Sequence, residues 1–236
     1  MDYRLLAEFK ALFEGRQYRH RHSSQGDWVA HHLYEDIYNL GKSKPFVAGV
    51  DSRERVLNVQ NKRRGVKARR GDGTFGELIP NNTPIVDPGF KVARGPIANV
   101  EIGVEVKFLA KAMIKQIDRV MNDINGQVAQ FQRGAGNPIC VAVVGINQAE
   151  KTVSYEGERP WPTDGRKFPH PIQEAKEAEN RLMAEIKPKV DELIILKYKA
   201  SNEDPYPFEW ASYVDTVQDY GAALIRISRD YDIRFG

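Results

Sequence analysis

The run Asn137–Asn147, NPICVAVVGIN, is almost continuously apolar. A stretch of this length that is greasy on both faces reads as a strand buried on both sides. Such a strand has to be covered above and below, which points to a sheet with helices on its faces. No apolar run in the chain approaches the length needed to span a bilayer.

Upstream, Asn99–Phe108 reads NVEIGVEVKF, with Val100, Ile102, Val104, Val106 and Phe108 at every second position. That is the period of a strand with one greasy face. Glu101, Gly103, Glu105 and Lys107 then share the opposite face, where Gly103 leaves room close to the backbone. On one face, Cβ atoms two residues apart lie about 6.5–7 Å from each other. Glu105 and Lys107 are therefore able to reach one water or phosphate oxygen together. Between the two strands, Leu109, Met113, Ile117, Val120, Met121, Ile124, Val128 and Phe131 recur at spacings of three and four, which predicts a helix facing a core. Gln116, Arg119, Asp123, Gln127 and Gln130 form a polar edge beside that stripe. Asn125-Gly126 is a break signal within it. Strand, helix and strand together predict a crossover unit.

Elsewhere the periodicity predicts helices over Asp2–Phe13, from Ser23 or Ser24 to Leu40, and over Ile172–Ile186, with a terminal helix over Phe208–Ile227. Residues 44–59 fit one or two strands and Leu193–Tyr198 another, while Gly71–Glu77 reads as a glycine-rich turn or loop without the order of a P-loop. Ile85–Val92 carries an Asp-Pro-Gly turn signal, consistent with a strand start or a bulged bend. Residues 157–171 are rich in proline and mark a boundary. The expected architecture is α/β, a central mixed sheet flanked by helices. Residues 1–156 form the core with its N-terminal helices, and 157–236 form a C-terminal αβα extension packed on the same domain.

A chain of 236 residues with 41% hydrophobic and 28% charged residues suits one soluble globular domain with an elaboration. The single cysteine, Cys140, allows neither an intrachain disulfide nor a cysteine zinc site, and with no secretory signal the expectation is a cytoplasmic protein. A net charge of +3 says little, but its distribution is uneven. Arg63, Arg64, Lys67, Arg69 and Arg70 belong to a cationic stretch over 53–70 that holds only one acid, Glu54. Such a cluster suits a phosphate backbone, although a solvated basic loop has the same composition. His31 and His32 point about 100° apart on a helix and with Glu35 make a poor zinc site.

Asp87 followed by Glu105-Val106-Lys107 resembles the signature of the PD-(D/E)XK nuclease superfamily, the restriction-endonuclease-like fold. The resemblance covers mainly residues 27–147. The family usually has proline before the aspartate, whereas here Val86 precedes Asp87 and Pro88 follows it, so Asp72 and Glu77 stand as alternative acids. The resemblance implies Mg²⁺-dependent hydrolysis of DNA, with Mn²⁺ as a substitute ion and RNA as the alternative polymer. It implies Asp87, Glu105 and the Val106 carbonyl as metal ligands and Lys107 as the group that orients or deprotonates water. Glu35 on an early helix and Gln116, or Gln127, beside the scissile phosphate complete the implied catalytic set. It further implies a homo-oligomer, or a subunit of a larger restriction or phage-defence assembly. The rival expectation is a non-catalytic module of the same fold that binds nucleic acid or a partner, and no membrane association is expected.

Overall fold

The structure, a computed structural model, describes residues 2–19, 24–58, 71–111, 113–134, 136–153, 167–168 and 170–236. In chain order these form α1 (Arg4–Ala11), α2 (Ser24–Leu40), α3 (Lys44–Asp51), β1 (Arg55–Asn58), β2 (Gly73–Glu77), β3 (Arg94–Gly95) and β4 (Ile102–Leu109). There follow α4 (Met113–Phe131), β5 (Ile139–Asn147), α5 (Pro171–Glu185), β6 (Glu192–Lys199), β7 (Glu209–Trp210) and α6 (Tyr213–Phe235). The seven strands make one mixed sheet in the order β3-β1-β2-β4-β5-β6-β7. β4, β5 and β6 run parallel to one another, whereas β2 pairs antiparallel with both β1 and β4 and β7 antiparallel with β6. The α/β class and the helix-flanked mixed sheet are as the sequence predicts.

All nine residues of β5 are buried, which explains their nearly unbroken apolar character. Ile139, Val141 and Val143 join one core with Ile102, Val104 and Val106 of β4 and with side chains of α1, α2, α3 and α6. Cys140, Ala142 and Val144 face the other core, built from α4 and α5. The strand thus divides two apolar layers, and its period of two assigns each side chain to one of them. β6 and α6, from the C-terminal part of the chain, belong to the same sheet and the same first core. Among the described residues no helix is long and apolar enough to cross a membrane.

Several local expectations change. Residues 44–51 are helical because Ser43 caps them, its hydroxyl accepting from the Phe46 amide at 3.2 Å with Pro45 in the first turn. Phe46 and Val50, four apart, then point into the core together. Gly73–Glu77 is a strand and not a loop. Its glycines hide the pattern, and pairing on both edges decides the matter. The helix α4 runs through Asn125-Gly126 without a break. At the C-terminus, Glu209–Trp210 pairs with Tyr198 and Lys199 as a short edge strand, and α6 starts only after Ser212, which caps it. β7 therefore covers only the last two residues of β6. Glu101 leaves the face it was assigned to: the Tyr231 hydroxyl of α6 donates to it at 2.5 Å and Arg55 pairs with it at 2.6 Å. It lies just before the strand begins, where the alternation does not yet hold.

The space beside Gly103 is filled from within. A Cβ there would collide with the ring of Phe131 at the end of α4, which lies flat over the bare backbone. Gly103→Ala should therefore destabilise the fold by about 1–3 kcal/mol, as overpacking does. Chemical denaturation measures this, and adding Phe131→Leu should recover part of the loss.

Candidate functional site

The site is set by the register of β2 against β4. Gly73 aligns with Val104 and Thr74 with Gly103, so the next step of the antiparallel ladder brings Asp72 across from Glu105. The pairing ends there, and the Val106 amide donates to Asp72 Oδ2 at 2.7 Å. Both main-chain groups of a strand residue point to the same edge. The Val106 carbonyl thus faces the side on which Asp72 sits. The other carboxylate oxygen, Oδ1, packs on Gly26 in the first turn of α2, where a Cβ would collide with it.

Glu105 and Lys107 share the α4 side of β4, as their spacing predicts. Lys107 Nζ lies 2.6 Å from Glu105 Oε1 and 3.6 Å from Asp123 Oδ2 on α4. Burial is the largest influence on Glu105 and pushes its carboxyl up to about 7; Asp72 adds to the rise and Lys107 opposes it. Lys107 is displaced the other way from what burial alone would do, because Glu105, Asp72 and Asp123 together hold its proton. The result is one cation set among three acids, two of which come from strands meeting at a ladder end.

Asp87 does not join this group. It pairs with Arg94 of β3, whose Nη2 donates to Asp87 Oδ1 at 2.6 Å. β3 is three strand positions from β4, roughly 14 Å at the usual spacing. Glu77 is at the far end of β2, opposite Arg55. Asp72, the alternative acid, is the one that meets Glu105.

Glu35 also lies elsewhere. One oxygen accepts from the Lys91 and Val92 amides at 2.8 and 2.7 Å, and the other pairs with Arg4 at 2.8 Å, so its work is to fasten α2 to α1 and to residues 91–92. Gln116 donates to the Lys111 carbonyl at 3.2 Å at the start of α4. Gln127 is buried. Asp123, on the same predicted polar edge, is the α4 residue that reaches Lys107; the helical period placed it correctly, but an acid beside a lysine carried no separate signal. His31 contacts the Val92 carbonyl at 3.1 Å and stacks on Phe90, while His32 packs against Trp28 and Phe90. Arg63, Arg64, Lys67, Arg69 and Arg70 lie outside the described residues; in sequence the cationic stretch ends two positions before Asp72.

Among the described residues no group of three or more His, Cys, Asp or Glu side chains is arranged to hold a metal ion. Two carboxylates and a main-chain carbonyl are nevertheless a sufficient oxygen set for Mg²⁺, which keeps most of its waters and uses one or two protein acids. Asp72, Glu105 and the Val106 carbonyl fit that requirement. Comparison of the chain with family models, curated proteins and solved structures returns no match to any of them.

Two measurements probe the geometry. Replacing an interior helical glycine by alanine normally gains up to about 1 kcal/mol, and Gly126→Ala in α4, which has open space around it, should do so. Gly26→Ala should instead lower stability, because it dislodges Asp72 from the Val106 amide. Thermal unfolding of the two variants should show the opposite signs.

The raised carboxyl of Glu105 fixes a second sign. The folded state holds that proton more tightly than the unfolded chain, so Glu105 favours folding below its unfolded pKa of about 4.5 and loses this contribution as pH rises through about 7. Glu105→Gln removes the cost of ionisation. Its stability relative to wild type should rise between pH 4.5 and pH 7 by on the order of 1–3 kcal/mol and then level off. Urea titrations across that range measure the difference.

Proposed function

We propose that the chain is a metal-dependent nuclease that hydrolyses phosphodiester bonds of DNA, built on a restriction-endonuclease-like core, and that Asp72 takes the place expected of Asp87. The observation that carries this reading is the convergence of Asp72, Glu105 and Lys107 at the end of the β2–β4 ladder. An acid on a preceding turn meeting a Glu-x-Lys pair on a strand is the arrangement that the resemblance implies. The nearby cationic sequence supplies the charge for a polyanion.

A phosphodiester resists attack because the nucleophile meets negative charge. A bound Mg²⁺ or Mn²⁺ supplies neutralising charge and a more acidic water. Asp72, Glu105 and the Val106 carbonyl would hold the ion. Ionisation of Glu105 is needed for that, and its elevated pKa makes cation binding compete with a proton near neutrality. Lys107 is held by Glu105 and Asp123 in the absence of an ion. With Glu105 serving as a ligand, Asp123 would keep the ammonium on the site side of α4, where it would orient the attacking water and offset charge building on the phosphate. Cutting both strands of a duplex takes two such sites, which a homo-oligomer or a larger defence assembly supplies.

Lys107→Ala tests the reading against a binding module of the same fold. Catalysis needs the ammonium beside the reacting phosphate, so Mg²⁺-dependent cleavage of a plasmid should fall by about a hundredfold or more. DNA affinity measured without metal should change little, since one phosphate contact among several is modest. Cleavage equal to wild type, or none by the wild type on any DNA or RNA with Mg²⁺ or Mn²⁺, would assign the chain to the binding module.

A further inference from the structure

Between the end of α1 and the start of α2 lies a groove of about 720 Å³. That volume is within the range of about 300–1,000 Å³ typical of sites for small organic groups. Its walls include Arg16, Gln17 and Arg19 from the segment after α1 and Ser24, Gln25 and Trp28 from α2. Arg16, Gln17 and Arg19 are exposed. Trp28 is 40% exposed, the largest side chain among the exposed hydrophobic residues that the structure describes. Its indole is not loose: Nε1 donates to Glu8 at 3.1 Å, and His32 and Phe90 pack against it edge to face at 4.5 and 5.7 Å between ring centroids. The ring is thus held rigidly with part of its surface facing water. Glu8 and Glu14 also line the groove, and each already has a partner, Glu8 the indole and Glu14 the Lys10 ammonium at 3.1 Å.

One contact ties this groove to the carboxylate site. Gly26, next to Gln25 in the same turn of α2, is the residue on which the Asp72 carboxylate packs. The α2 wall of the groove is therefore one residue removed from a contact of the site. A polymer whose phosphate lay over Asp72, Glu105 and Lys107 would have its adjoining nucleotide within reach of the groove.

We infer that the α1–α2 groove is a nucleotide subsite, in which Trp28 stacks a base flanking the scissile phosphate and Arg16 and Arg19 hold the adjoining backbone phosphates. For its substrate the inference rests on the nuclease reading. A rigid aromatic in a groove that also presents cations is a general means of holding a single strand without regard to sequence. The polymer at this point is single-stranded or locally unpaired, since a base has to leave its stack to lie on the indole.

The test uses the full chain in EDTA, so that cleavage plays no part, with a short fluorescein-labelled oligothymidylate as probe. Anisotropy and indole fluorescence are followed together, over a range of salt. Wild type should bind with quenching of its indole emission. Trp28→Ala should weaken binding on the order of tenfold, the usual effect of losing one stacking partner. Arg16→Ala/Arg19→Ala, at two exposed positions with little bearing on folding, should lower the slope of log affinity against log salt by about 1.4, at about 0.7 per single-strand phosphate contact. No binding by wild type, or an affinity and slope unchanged in both variants, would overturn the subsite. Plasmid cleavage by wild type with Mg²⁺, measured separately, keeps the two conclusions apart. Cleavage with an inert groove removes the subsite alone, and binding through Trp28 without cleavage removes the nuclease reading alone.

Discussion

Glu105 and Lys107 carry charge on a strand with neighbours on both edges and a packed layer on both faces, and most of what surrounds them follows from that. A buried carboxylate next to another carboxylate is tolerable only with a cation held against it. Lys107 is that cation, and α4 contributes Asp123 to balance it. Phe131, from the same helix, closes the surface over Gly103, two residues before Glu105. The helix is consequently a support for the charged cluster as well as a cover for the sheet.

The buried acids of this protein divide by how many donors they receive. Asp36 accepts from the Arg4 and Leu5 amides and from the Tyr220 hydroxyl, fixing α1 and α6 against α2. Glu192 is clasped by Arg226 and Lys187. Glu35 and Glu101 are comparably satisfied. Glu105 has the Lys107 ammonium and two neighbouring acids that work against it. A carboxylate left so short of donors gains from any added cation, and this difference separates the candidate site from the structural acids more clearly than residue type does.

The sheet was largely legible in the sequence, because β4 and β5 write their burial directly as alternating and continuous apolar runs. Glu105 and Lys107 were legible for the same reason. Asp72 was harder to find, since it precedes a strand in which two of five residues are glycine and whose identity depends on partners far away in sequence. Asp87 offered a proline-flanked acid in an apolar setting, but spacing along the chain cannot reveal that Arg94 folds back upon it. Residues 44–51 show the same limitation locally: Phe46, Val47 and Val50 suit either period, and the Ser43 cap decides between them.

The short reach of β7 has a separate consequence. Along most of β6 the outer edge has no strand beside it among the described residues, and the groove there is bordered by the Lys187–Glu192–Arg226 and Lys197–Glu179 ion pairs that join the strand to its flanking elements. An open edge is a template for pairing with any extended chain. Here the barrier to such association is electrostatic, and dissolved salt weakens barriers of that kind. Storage at high ionic strength would thus trade one hazard for another, quieting non-specific contact with polyanions while loosening the guard on the sheet's own margin.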